Sequence, residues 1–253
     1  MLVERGPHPA LQGRVRSYYG FTEETSGPVR RREGPGSSVV LVISFEHDWL
    51  MGQALVPERP FERFRSFVAG MHDAAVLTEH AGRSEGIQVN LAPPAAAALL
   101  GIPMHELARR IVPFEDVLPG ELVERLADAS EWDTRFDLLE SALASRLADG
   151  PRPDGAVWAW ERLAATQGRV RIETLCRELG WSRRRLAARF RDEVGLSPKT
   201  AARLLRLERA AELATAGVEW AEVAYACGYY DQSHLVNEFR QVTGASPTQY
   251  LAV

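Results

Sequence analysis

The apolar positions of the chain change their period part-way along. Up to about residue 90 they cluster in short runs rich in Val, Ile, Phe and Tyr, at Arg14–Thr22, Ser38–Glu46, Phe64–Met71 and Ile87–Leu91. Turn-forming stretches such as Gly34-Pro35-Gly36-Ser37 and Gly82-Arg83-Ser84 separate them. Closely spaced strands with no helix between them predict an antiparallel barrel or sandwich. After Pro93-Pro94 the spacing becomes helical, with a short helix from Ala95 to Leu100. Two stripes follow: Leu122, Val123, Leu126, and then Phe136, Leu139, Leu143, Leu147. The segment Gly150-Pro151-Arg152-Pro153-Asp154-Gly155 interrupts everything and predicts a domain boundary, with 151–154 as linker.

Beyond it the pattern predicts only helices, at about 156–167, 172–179, 183–194, 199–215, 220–227, 232–242 and 248–251. Gly168, Gly180, Gly195, Gly217, Gly228 and Gly244 follow the first six, as expected of left-handed residues after helix ends. Two stretches repeat. Ile172-Glu-Thr-Leu-Cys-Arg-Glu-Leu-Gly-Trp-Ser182 leads to Leu186, Phe190, Gly195 and Pro198. Trp220-Ala-Glu-Val-Ala-Tyr-Ala-Cys-Gly-Tyr-Tyr-Asp231 leads to Leu235, Phe239, Gly244 and Pro247, 49 residues on. Each reads as helix, glycine turn and capped amphipathic helix, with Ser182 and Asp231 as caps. That is the helix-turn-helix pattern, over 172–194 and 220–242, and its second helix turns its outward face to a DNA major groove.

In the first copy the outward face carries Arg183, Arg184, Ala187 and Ala188, flanked by Arg185, Arg189 and Arg191. In the second it carries Gln232, Ser233, His234 and Asn237, with Arg240 nearby. Arginine suits guanine and phosphate, and glutamine and asparagine suit adenine. The helix at 199–215 fixes the distance between the two.

Composition narrows the rest. The 253 residues are 45% hydrophobic and 25% charged, ordinary for globular domains. The net charge of −4 is uneven: from Gly155 onward 14 basic residues face 11 acidic ones, and before it 16 face 23. An acidic regulatory part joined to a basic nucleic-acid part fits this split. No apolar run is long enough for a membrane span. Met1–Pro7 lacks a secretory-signal pattern, so a reduced cytoplasmic protein is expected. Cys176 and Cys227 lie on apolar stripes and read as small core residues.

With those residues in view, Gly180–Pro198 and Ala221–Tyr250 resemble the AraC/XylS family of bacterial transcription regulators, and Arg206-Leu207, Ala210 and Leu213 fit its linker helix. The resemblance implies two helix-turn-helix units that read promoter DNA and contact RNA polymerase. It places base-reading positions on Arg184, Ala187 and Ala188, and on Gln232, Ser233 and Asn237. Family members often carry arginine where this chain has Ala188 and Asn237. The stretch Gly86–Leu107 and the helices to Leu147 resemble a cupin-like sensor domain, which implies a small β-barrel that binds an effector or mediates dimerisation.

The fold class expected is therefore an α+β cupin-like barrel with helices over 1–150 and an all-α domain over 155–253. A barrel mouth is a usual ligand site, and Tyr18, Tyr19, Phe21, Phe45, His47, Trp49, Phe67 and Met71 are candidates to line it. Two other classes were open: a metal-dependent cupin enzyme with a helical accessory domain, and a non-specific architectural DNA-binding protein. The histidines at 8, 47, 72, 80, 105 and 234 include no His-x-His pair. Only His72-Asp73 and Glu79-His80 could meet across a hairpin, so neither a metal nor another cofactor is expected. No Gly-x-Ser-x-Gly and no phosphate loop occurs, so no catalytic residue is expected. Arg30-Arg31-Arg32 reads as a solvated charge run in a loop.

Overall fold

The structure, a computed structural model, describes residues 1–53, 60–148 and 154–251. Among the described residues the N-terminal part holds ten strands: β1 (Leu2–Arg5), β2 (Val15–Glu24), β3 (Val29–Glu33), β4 (Val39–Ser44), β5 (Trp49–Gln53), β6 (Glu62–Phe64), β7 (Phe67–Ala69), β8 (Val76–His80), β9 (Arg83–Leu91) and β10 (Ile111–Pro113). They form two antiparallel sheets, ordered β1-β2-β9-β4-β7-β10 and β3-β8-β5-β6. The two-sheet antiparallel architecture agrees with the sequence, but the inventory is richer. Phe64–Met71, expected as one strand, is two: β6 lies in the smaller sheet and β7 in the larger, and the chain crosses between them at Arg65-Ser66.

Arg30-Arg31-Arg32 is not a loop. It is the middle of β3, in register with Leu77–Glu79 of β8. Each guanidinium has a partner: Arg30 holds Glu79 at 2.7 Å, Arg31 holds Glu23 at 2.6 Å, and Arg32 donates to the Thr243 carbonyl at 2.9 Å. Cross-strand and cross-domain acceptors explain how three like charges sit in succession on a strand.

The described residues of this part also form the helices α1 (Pro93–Leu100), α2 (Met104–Leu107), α3 (Glu121–Asp128) and α4 (Trp132–Ala148). The larger sheet is covered on both faces. Tyr18, Leu41, Ile43, Val68, Ile87 and Val89 join the core shared with Phe136, Leu139, Leu143 and Leu147 of α4. Tyr18 packs on Phe136 with ring centroids 5.1 Å apart, and its hydroxyl donates to Glu140 at 2.6 Å. Burial and that carboxylate push the Tyr18 phenol well up. On the other face a small apolar cluster, Val42, Met51, Phe64 and Phe67, lies between the sheets.

The C-terminal part is α5 (Gly155–Ala165), α6 (Ile172–Leu179), α7 (Arg183–Val194), α8 (Pro198–Thr215), α9 (Trp220–Ala226), α10 (Gln232–Thr243) and α11 (Pro247–Leu251). Every helix expected from the sequence is present, with ends shifted by two residues at most. Of the expected linker, 151–154, residues 151–153 lie outside the described residues. Asp154, placed in that linker, instead caps α5: its carboxylate accepts from the Ala156 and Val157 amides at 2.7 and 3.3 Å. Helices α1 and α2 pack on α7, and His105 meets Asp192 at 3.2 Å, so the two parts share one continuous apolar core.

Arg109 and Asp73 form a two-pronged clamp at 2.6 and 2.7 Å beside the end of β7. The guanidinium holds the Asp73 carboxyl below its usual range. A depressed carboxylate stabilises above its unfolded pKa and loses that contribution as pH falls through the folded value. Asp73→Asn is therefore expected to flatten the stability–pH curve below about pH 4 while costing up to about 1 kcal/mol near neutrality, since the clamp is partly exposed. Urea titrations across pH check this.

Candidate DNA interface and ligand cavity

The two repeats fold as the same unit. Both second helices, α7 and α10, run for 12 residues from starts 49 apart. Ser182 Oγ accepts from the Arg185 amide at 3.2 Å, and Asp231 Oδ1 accepts from the His234 amide at 2.7 Å. Gly180 and Gly228 take φ of 64° and 77° in the two turns, where a side chain would be strained. The inward stripes are fully buried: Leu186, Phe190 and Val194 on α7, and Leu235, Phe239 and Val242 on α10. Cys227 is buried, whereas Cys176 is half-buried.

The outward stripes face solvent. Arg183, Arg184, Arg185, Ala188, Arg189 and Arg191 are exposed and Ala187 is half-buried. Gln232, Ser233, His234, Asn237 and Arg240 are all exposed. Some of these side chains are already engaged. Arg183 pairs with Glu173 at 2.7 Å, Arg189 pairs with Asp154 at 2.7 Å, and Arg185 lies over the Trp181 ring at 4.5 Å. Arg184 has no ion-pair partner among the described residues and projects from the first turn of α7. The His234 ring rests edge-on to Tyr229 at 5.3 Å. Tyr225 and Tyr230, 87% and 93% exposed, flank the second turn; sequence reasoning did not single them out, and an aromatic beside a cap at a position off the apolar stripe was the available signal.

Helix α8 ties the units together. Arg206 donates to the Gly168 carbonyl on the first unit's side at 3.2 Å and lies over Tyr229 of the second at 5.6 Å. Eighteen residues make a rod of about 27 Å.

A second feature lies between the two sheets: a cavity of about 1160 Å³ bordered by Glu208, Ala211, Glu212 and Thr215 of α8. Of the candidates, Tyr19, Phe21, Trp49 and Phe67 line it; Tyr18, Phe45, His47 and Met71 do not. Strand parity separates them. Tyr19 and Phe21 point between the sheets, while Tyr18 points to α4. Phe45 is occupied by Arg135, whose guanidinium lies 4.4 Å from its ring. Met71 belongs to the helix-side core, and the half-buried His47 sits just past β4. Burial and the nearby Glu33 carboxylate push the Tyr19 phenol up to about 12. Helix α8 contributes Glu208 and Glu212, which sequence reasoning missed. Glu208 accepts from the Ser37 amide at 2.5 Å and from the Ser37 hydroxyl, so the β3–β4 loop is pinned to α8. His80, placed among possible metal ligands by sequence, instead meets Glu23 at 3.1 Å, and Asp73 is held by Arg109.

Comparison with known proteins agrees with this geometry. A family model described as a helix-turn-helix domain matches residues 175–252, and one described as a domain of unknown function, DUF6597, matches 3–113. The HTH-type transcriptional activator RhaR of Pectobacterium atrosepticum is 35% identical over 127 residues, which cover 50% of this chain and 37% of that protein. RhaR of Pectobacterium carotovorum subsp. carotovorum is 33% identical over the same shares. Residues 175–252 are thus similar to helix-turn-helix domains, and 127 residues of the chain are similar to HTH-type transcriptional activators. The chain spans little more than a third of the length of those curated relatives. An apo ToxT variant from Vibrio cholerae superimposes with a TM-score of 0.53 at 11% identity, over 98% of this chain and 99% of that one. Unsaturated fatty acid bound wild-type ToxT gives 0.52 at 10%, over 95% and 96%. At these identities the likeness is one of fold, and it extends across both parts of this chain.

Proposed function

We propose that the protein is a cytoplasmic, sequence-specific transcription regulator whose two recognition helices read adjacent major-groove sites of one promoter. The observation that carries this reading is the pair of capped 12-residue helices, 49 residues apart, with solvent-facing polar stripes on one rigid connecting helix. Arg183, Arg185, Arg189, Arg191 and Arg240 hold phosphates, which fixes register without specifying sequence. Arg184, Ala187 and Ala188 in the first unit, and Gln232, Ser233 and Asn237 in the second, face base edges, with His234 beside them. Contact with RNA polymerase and dimerisation through the N-terminal part accompany this reading. No catalytic role is assigned to any residue.

The N-terminal part, residues 1–150, acts as the sensor. A small-molecule effector enters the cavity between the sheets, where it touches α8 directly. An effector with different affinity for two arrangements of α8 shifts how the 155–253 part engages DNA. Among the described residues no helix is long and apolar enough to cross a membrane.

The deciding experiment selects a DNA site from random sequence and then measures Arg184→Ala against single-base variants of it. The expected loss is about 1–3 kcal/mol, concentrated at one or two base pairs. An equal loss on every sequence would make Arg184 a phosphate contact, and failure to select any site would overturn the sequence-specific reading.

A further inference from the structure

The cavity's interior has a chemistry of its own. Two polar groups of its lining residues have no hydrogen-bond partner among the described residues: the Trp49 indole N–H and the hydroxyl of Ser84, a residue 2% exposed. Both residues line the cavity. An indole nitrogen can only donate, and a serine hydroxyl can donate. A buried donor left unmade costs more than a made bond gains, so the pair fits a ligand that brings an acceptor.

The neighbouring charges do not provide a seat for an anion. Among the described lining residues four carboxylates, Glu23, Glu33, Glu208 and Glu212, face two guanidiniums, Arg16 and Arg31. Both guanidiniums are already matched: Arg31 with Glu23 at 2.6 Å, and Arg16 with Glu208 at 3.6 Å and the Ser37 hydroxyl at 2.6 Å. Glu23 also meets His80 at 3.1 Å. A bound carboxylate would lose its water and meet an excess of like charge. Other lining residues are apolar and aromatic, with Phe21 edge-on to Trp49 at 6.0 Å, and Val42, Met51 and Phe67 among them.

Resting on the reading of this cavity as the effector site, we propose that its ligand is an uncharged, largely aromatic molecule bearing a carbonyl-type oxygen, which accepts from the Trp49 indole N–H and the Ser84 hydroxyl. The aromatic body lies against Phe21 and Phe67, and the excess of carboxylates turns away acids of the same shape. A site with buried donors discriminates strongly against a ligand that leaves them unpaired.

Three probes of matched shape test this on the full chain by calorimetry and thermal shift: 4-acetylbiphenyl, 4-ethylbiphenyl and biphenyl-4-carboxylate. The ketone is expected to bind at least about tenfold tighter than the ethyl compound, with the carboxylate weakest. Ser84→Ala and Trp49→Phe are each expected to shrink the ketone's advantage over the ethyl compound, read as the ratio of the two affinities within the same variant. If the carboxylate binds best, or both variants keep the full ketone preference, the ligand class is overturned and the cavity reading stands. If none of the three binds, the cavity reading itself falls, and the proposal with it.

Discussion

Phe190→Ala is expected to destabilise the protein by about 3–5 kcal/mol and to abolish site-specific DNA binding at 37 °C. The ring is fully buried, 6.5 Å from Trp160, on the helix whose opposite face carries Arg184. Its removal leaves a cavity on α7 opposite the solvent-facing stripe, where α5, α6, α8 and the helices of the N-terminal part converge. A close-packed region of this kind relaxes only partly, so the cost exceeds the transfer of the ring alone. Phe239→Ala removes the equivalent ring, which touches Trp220 at 6.3 Å and Tyr250 at 5.9 Å. The second unit has fewer helices around it, and α11 can collapse inward, so its loss is expected at the low end of the same range. Urea unfolding of both variants measures the difference. A loss below 1 kcal/mol for Phe190→Ala would mean that α7 is not the centre of the packing described here.

The contrast between the two halves of the sequence has a physical cause. In the C-terminal part each helix is bounded by signals a few residues away: a cap such as Ser182, a positive-φ glycine such as Gly180, and an apolar stripe of one period. Those signals act locally, so the chain states them locally. The strands of the N-terminal part are three to ten residues long, and their existence depends on distant partners. Arg30-Arg31-Arg32 has no apolar alternation; it is a strand because Leu77, Thr78 and Glu79 lie opposite and Glu23 and Thr243 accept from it. No local rule reports that. The cavity was half legible for a related reason. The larger sheet is covered on both faces, so Tyr18 and Tyr19 look equally suited to a core, and only the positions of α4 and the second sheet decide which of them faces the cavity. Glu208 and Glu212 did carry a signal. Like charges four apart on one helix face are unfavourable unless something else holds them, and here Ser37 and Arg16 hold the first and Arg209 the second.

Inserting five base pairs between the two halves of the selected DNA site is expected to weaken binding by about 10²–10³-fold, and inserting ten is expected to weaken it as much. Half a helical turn puts the second sub-site on the far side of the duplex, so only one recognition helix can engage. Specific sites commonly exceed non-specific DNA by about 10³–10⁷, so losing one of two comparable halves accounts for a drop of that order. The ten-base-pair insertion carries the argument, because it restores the face of the duplex and changes only the distance. Two units on a flexible tether would recover most of their affinity there. This chain should not, because α8 is a single 18-residue helix held to both units by the Arg206 contacts with Gly168 and Tyr229 and by a buried row that includes Leu204, Leu205, Leu207 and Ala210. A rod of about 27 Å cannot bridge an added turn of about 34 Å. Gel-shift titrations on the three sites, at one fixed salt concentration, separate the outcomes. Recovery at ten base pairs would show that α8 yields, and an unchanged affinity at five would show that a single unit does the reading.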